Sequence, residues 1–125
     1  MSAERVLKIA IADASPAFLS AAAHYINHLP GFVLAGTANT AKQALTLVHS
    51  AGPDVLLLDL GRSPVRGLEM VKQVKAAPHA PAVVAMTLFH TPEAAAAATR
   101  AGADALVGKE SFVYGLSQAL KRLFP

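Results

Sequence analysis

A doubly wound α/β fold is predicted here, with five parallel strands in the order 2-1-3-4-5 and five helices covering both faces of the sheet. Three observations predict it. Five short apolar runs alternate with stretches whose apolar residues recur at helical spacing. Gly and Pro punctuate the joints between them. Four polar residues, Asp13, Asp59, Thr87 and Lys109, sit at the C-terminal ends of the runs Leu7–Ala12, Val55–Leu58, Ala82–Met86 and Ala105–Val107. Strands alternating with helices of roughly ten to fifteen residues imply βαβ units and a parallel sheet. Right-handed crossovers then make the 2-1-3-4-5 order the economical one, with its switch point between the first and third strands.

Each element has its own local reason. Leu7–Ala12 is a run of mainly branched and small apolar residues, as a buried strand requires. Asp13-Ala-Ser-Pro then opens a helix, with Ser15 as N-cap and Pro16 at the first helical position. Phe18, Leu19, Ala22, Ala23, Ile26 and Leu29 form its apolar stripe, and Pro30-Gly31 ends it. Phe32–Ala35 is the second strand. Thr40 caps the next helix, which turns Ala41, Ala44, Leu45 and Val48 inward and stops at Gly52-Pro53.

Val55–Leu58 is apolar at every position, which marks a central strand covered on both faces. A loop over Gly61–Arg66 follows, then a helix over Gly67–Ala76 with Leu68, Val71 and Val74 inside. Pro78 and Pro81 bracket a turn before the strand Ala82–Thr87. Thr91-Pro92 starts a helix through the alanine run Ala94–Ala98, and Gly102 closes it. That run predicts a smooth helix surface suited to close packing against a partner helix. After the strand Ala105–Val107, Ser111 starts a last helix carrying Val113, Leu116, Leu120 and Leu123 on one side.

Composition narrows the function classes. The chain has 125 residues, enough for one domain with a real core. It has no cysteine, so disulfides, thiolate catalysis and zinc–sulfur sites are excluded. No apolar stretch approaches the ~20 residues of a membrane span, and the start lacks a signal-peptide layout, so a soluble cytoplasmic domain is expected. The formal charge is +3, but the basic residues are dispersed and Trp is absent, which argues against direct nucleic-acid binding. What remains is the strand-end set. Ligands of open parallel sheets bind outside the carboxyl ends of the strands. Two carboxylates, a hydroxyl and an amine gathered there are the parts of a phosphoryl-transfer site.

These residues bring the chain to a known family. It resembles the receiver domains of two-component response regulators through Ile11-Ala-Asp-Ala-Ser-Pro, Pro53-Asp-Val-Leu-Leu-Leu-Asp-Leu, Gly67, Val84-Ala-Met-Thr, Ala101-Gly-Ala-Asp-Ala and Lys109, in that order. Pro30-Gly-Phe-Val-Leu-Ala-Gly-Thr-Ala looks most like receivers that precede a LuxR-type helix-turn-helix. The resemblance implies a single receiver domain over residues 1–125, with no output domain in this chain. It implies a signalling domain and not an enzyme. Asp59 would accept a phosphoryl group from a histidine kinase or phosphotransfer protein. Lys109 would pair with a phosphoryl oxygen, and Thr87 would hydrogen-bond to the new phosphate. Asp13, Asp59 and the Gly61 backbone carbonyl would hold Mg²⁺. A homodimer is a further implied partner.

Departures from the family pattern open an alternative. The family carries two adjacent acids after the first strand, and here the second place is Ala14, which should weaken Mg²⁺ binding. Arg62 and Arg66 stand in a loop that normally offers apolar and acidic residues, and a guanidinium there could reach Asp59. Leu88 follows Thr87 where a small residue is usual, which should narrow access to the site. Leu106 replaces the aromatic that often swings inward on activation. The alternative is therefore a phosphorylation-independent receiver acting as a dimerisation or docking module. His24 and His28, four apart on one helix, lack a third metal ligand and read as surface histidines. Asp104 reads as a turn residue.

Overall fold

The computed structural model describes residues 5–125. Its elements run β1 (Leu7–Ala12), α1 (Pro16–Asn27), β2 (Phe32–Ala38), α2 (Ala41–Ala51), β3 (Val55–Asp59), α3 (Pro64–Ala76), β4 (Ala82–Thr87), α4 (Pro92–Ala101), β5 (Ala105–Gly108) and α5 (Phe112–Leu123). A short 3₁₀ turn over Lys109–Ser111 joins the last two. The five strands form one sheet in the order β2-β1-β3-β4-β5, and every pairing is parallel. Class and strand order are those the sequence predicts.

The period of two along each strand divides the core. Ile9, Ile11, Val55, Leu57, Val84, Met86 and Val107 pack with Ile26 of α1 and Leu116 and Leu120 of α5. Ala10, Ala12, Leu56, Leu58, Val83 and Ala85 pack on the other face with Val71 and Val74 of α3 and alanines of α2 and α4. The alanine excess now has a place. Ala10, Ala12 and Ala38 of the strands, Ala44 of α2, Ala98 and Ala101 of α4 and the following Ala103 are buried together in this layer, where short side chains permit close approach. Helix α4 packs beside α3, so part of its smooth surface is used inside the chain.

Capping follows the sequence closely. The Ser15, Thr40 and Thr91 hydroxyls accept hydrogen bonds from the backbone N–H groups of Phe18, Gln43 and Ala94, at 3.2, 3.1 and 3.0 Å. Four expectations need correction. Helix α3 starts at Pro64 and not at Gly67, because Ser63-Pro64 repeats the cap-then-proline signal of α1. Strand β2 continues past Ala35 to Ala38, since Thr37 and Ala38 stay paired with Ile11 and Ala12. Val113 is 54 % exposed; the half-buried Phe112 takes the inward place at the start of α5. Ala41, in the first turn of α2, is exposed.

Candidate functional site

The four strand-end residues converge at the C-terminal edge of the sheet. Asp13 directly follows β1 and is buried at 4 % exposure. Its backbone N–H donates to the Ala38 carbonyl at 3.0 Å, which fixes the turn out of the strand. One carboxylate oxygen, Oδ1, accepts the Ser15 N–H at 2.8 Å. The other, Oδ2, accepts from the Lys109 ammonium at 2.7 Å. Asp59 ends β3 and lies one strand away, its Oδ1 3.7 Å from Lys109 Nζ. Lys109 also stands over the Phe18 ring, 4.4 Å from its centroid. Phe18 is braced in turn by an edge contact with Phe112 at 5.1 Å.

Thr87 closes β4 beside these groups, since Asp59 pairs with Met86 in the ladder and Thr87 with Gly108. Its hydroxyl accepts the Phe89 N–H at 3.3 Å and is directed into its own loop. Gly61 turns the chain away from Asp59 at φ +74°, a left-handed conformation that favours glycine. Just beyond, Gly67 lies so close to Leu60 that a Cβ there would meet its Cα at 2.6 Å. That contact seats the start of α3 against the loop after Asp59.

A cavity of about 200 Å³ opens beside the carboxylates. Asp13, Asp59, Gly61 and Arg66 line it together with Asn39 and Thr40 from the start of α2. Arg62 and Arg66 are both exposed, and neither forms an ion pair or hydrogen bond with Asp59 among the described residues. Leu88 is 63 % exposed and lies outside the lining of this cavity. Leu106 is half-buried against the core under α4. Sequence reasoning missed three contributors. Phe18 reads as an ordinary apolar helix position, yet it forms one wall of the lysine's seat. Asn39 and Thr40 read only as a loop and a cap.

The electrostatics are unequal at the two carboxylates. Burial, and then the neighbouring Asp13 charge, push the Asp59 pKa above its ordinary value; Lys109 and the Gly61 N–H pull it back without cancelling the rise. The folded state therefore holds this proton more tightly than the unfolded chain does. Stability falls as pH rises from the unfolded-state pKa through the folded-state pKa, and ionised Asp59 is destabilising at neutral pH. Asp59→Asn is expected to stabilise the domain at neutral pH by roughly 0.5–2 kcal/mol. The gain should vanish once pH drops below the ordinary carboxylate range. Thermal unfolding of both proteins across pH checks this, and a variant that melts earlier at neutral pH would contradict it.

Other tempting groups resolve as structural. Asp104 accepts the Val83 N–H at 2.8 Å and the Lys75 ammonium at 3.0 Å, tying the turn before β5 to β4 and α3. His24 and His28 have ring centroids 4.5 Å apart. The His28 Nδ1–H donates to the His24 carbonyl at 2.8 Å. Among the described residues, no group of three or more His, Cys, Asp or Glu could hold a metal ion.

Comparison with known proteins agrees with the geometry. Residues 9–121 match the response regulator receiver domain family. The nitrate/nitrite response regulator NarL of Escherichia coli K12 is 26% identical over 120 residues, covering 96% of this chain and 56% of that protein. The transcriptional regulatory protein YxjL of Bacillus subtilis is 26% identical over 115 residues, covering 92% of this chain and 53% of that protein. This chain thus spans about half the length of these curated relatives. Among solved structures, a receiver domain of a DNA-binding response regulator from Colwellia psychrerythraea superposes at a TM-score of 0.79 with 25% identity, covering 94% of this chain and 97% of that one. A LuxR-family response regulator from Aurantimonas shares the fold at a TM-score of 0.84 and 24% identity, covering 94% of this chain and 84% of that one. A strand-end acid, a neighbouring acid and a lysine set in this fold, with the family match over most of the chain, make it a member of the response regulator receiver domain family.

Proposed function

We propose that this domain accepts a phosphoryl group on Asp59 from a phosphohistidine of a histidine kinase or phosphotransfer protein. The observation that carries the reading is a half-buried carboxylate at the end of β3, beside an open cavity and 3.7 Å from an ammonium group. A carboxylate is a weak nucleophile, so the reaction depends on positioning and on charge stabilisation around the moving group. An Asp59 oxygen forms the new P–O bond as the donor's P–N bond breaks, and the electron pair leaves on the imidazole nitrogen. Lys109 is near enough to meet a phosphoryl oxygen. The Thr87 hydroxyl, by turning inward, would donate to another and draw the β4–α4 loop with it. That loop exposes Leu88 and Phe89, so its movement would change an apolar surface that a partner or a second copy of the chain can read.

Receiver domains generally bind Mg²⁺ in the acidic pocket. The oxygen donors offered here are Asp13, Asp59 and the Gly61 carbonyl, and this set does not fit a resident ion. Both Asp13 oxygens already take donors, Ala14 contributes none, and Lys109 stands between the two carboxylates. No step is therefore routed through a metal. Among the described residues no helix is long and apolar enough to cross a membrane, and a cytoplasmic location is part of this reading.

Intact-mass analysis after incubation with acetyl phosphate tests the proposal. A phospho-adduct on the native chain, absent from Asp59→Asn, is expected. If a folded sample gives no adduct at high donor concentration, with or without Mg²⁺, the domain works by docking alone.

A further inference from the structure

We infer that Lys109, and not a divalent cation, is the resident counter-charge of this pocket, so that phosphorylation of Asp59 does not require Mg²⁺. The inference rests on the phosphoacceptor reading above and concerns what neutralises the site.

Two carboxylates face one ammonium, at 2.7 and 3.7 Å, which leaves the cluster with a single net negative charge. Mg²⁺ gives up its water reluctantly and needs anionic oxygens in near-octahedral array. An ion bridging Asp13 and Asp59 from the cavity would have to share both carboxylates with Lys109, whose side chain is 13 % exposed. Phe18 holds that ammonium from the side, and Phe112 holds Phe18. Asp13 is committed on both oxygens, to Lys109 and to the Ser15 N–H that starts α1. The one residue placed to add a third acid is Ala14, an exposed methyl next to Asp13. Arg66 on the cavity wall adds positive charge, which suits an anionic donor and repels a divalent cation.

The same arrangement supplies what the transfer needs. With acetyl phosphate as donor, an Asp59 oxygen forms a P–O bond while the bond from phosphorus to acetate breaks. Acetate leaves with the electron pair, and no proton has to move. Lys109 shifts from Asp13 toward the phosphoryl oxygens, a short displacement because it already lies between the two carboxylates. The new negative charge on Asp59 thereby meets a cation that the fold had in place.

Two measurements on the full chain test this, each on the native protein and on Ala14→Asp. Calorimetric titration with Mg²⁺ should show no binding to the native chain, whereas Ala14→Asp should gain affinity by ~10-fold or more. Intact-mass analysis with acetyl phosphate should give equal adduct in EDTA and in millimolar Mg²⁺ for the native chain, and Mg²⁺-stimulated adduct for Ala14→Asp. Ala14 is exposed, so the variant should fold, and circular dichroism confirms that before either assay. A native adduct that needs Mg²⁺ overturns this inference and leaves the phosphoacceptor reading standing. Absence of adduct in all conditions removes the phosphoacceptor reading, and with it the claim of metal-free transfer. Mg²⁺ binding by the native chain overturns the counter-charge assignment whatever the adducts show.

Discussion

Lys109→Met is expected to destabilise the domain by roughly 3–5 kcal/mol, the cost of leaving a buried carboxylate without its charge partner. The Asp13 side chain is only 1 % exposed and takes its shortest hydrogen bond from Lys109. Without the ammonium it keeps one N–H, from Ser15, and faces the like charge of Asp59 across the vacated space. Urea unfolding at constant m-value reads the loss directly. The double variant Asp13→Asn/Lys109→Met should recover much of it, because the uncompensated charge is then gone. A single variant within 1 kcal/mol of native stability would mean that the ion pair contributes little, a threshold of about the value of an exposed pair. Phosphorylation of the single variant should also be lost, since among the described residues no other cation lies within ion-pair distance of Asp59.

Gly67→Ala should be nearly as damaging, and for a steric reason. Its Cβ would meet the backbone of Leu60, with the Cα 2.6 Å away and the carbonyl oxygen closer still. Backbone cannot swing aside as a flexible side chain can. Relief requires α3 to lift from the loop after Asp59, and overpacking of this kind costs about 2–3 kcal/mol. Thermal unfolding should show a fall of roughly 5–10 °C, taking a few degrees per kcal/mol for a domain of this size. The displaced loop should also shift Asp59, so phospho-adduct yield ought to drop even at temperatures where the variant stays folded. An unchanged melting point would show that the contact is looser than the geometry states.

Much of this was legible in the sequence, and the reasons are local. Proline after a capping residue, glycine at helix ends and unbroken apolar runs act over a few residues, so they survive without tertiary information. The four strand-end residues were legible because topology alone carries them to one edge. Helix α3 was misjudged at its start because Gly67 drew attention from Ser63-Pro64, which carries the same signal as Ser15-Pro16. Strand β2 ran long because pairing with Ile11 and Ala12 overrides the weak strand preference of Gly36. Which carboxylate Lys109 prefers could not be read at all. It depends on the side-chain conformation of a residue far along the chain, and on an aromatic ring that looks like core.

The bond between Asp13 and Lys109 joins positions 96 residues apart. Closing so long a loop is entropically unfavourable until the intervening strands have docked. While the chain is still assembling, or if it stops short of β5, Asp59 is an ordinary hydrated carboxylate with no ammonium beside it. On the proposed phosphoacceptor reading, reactivity and completed folding would thereby be the same event, and a nascent or damaged copy would not carry the signal.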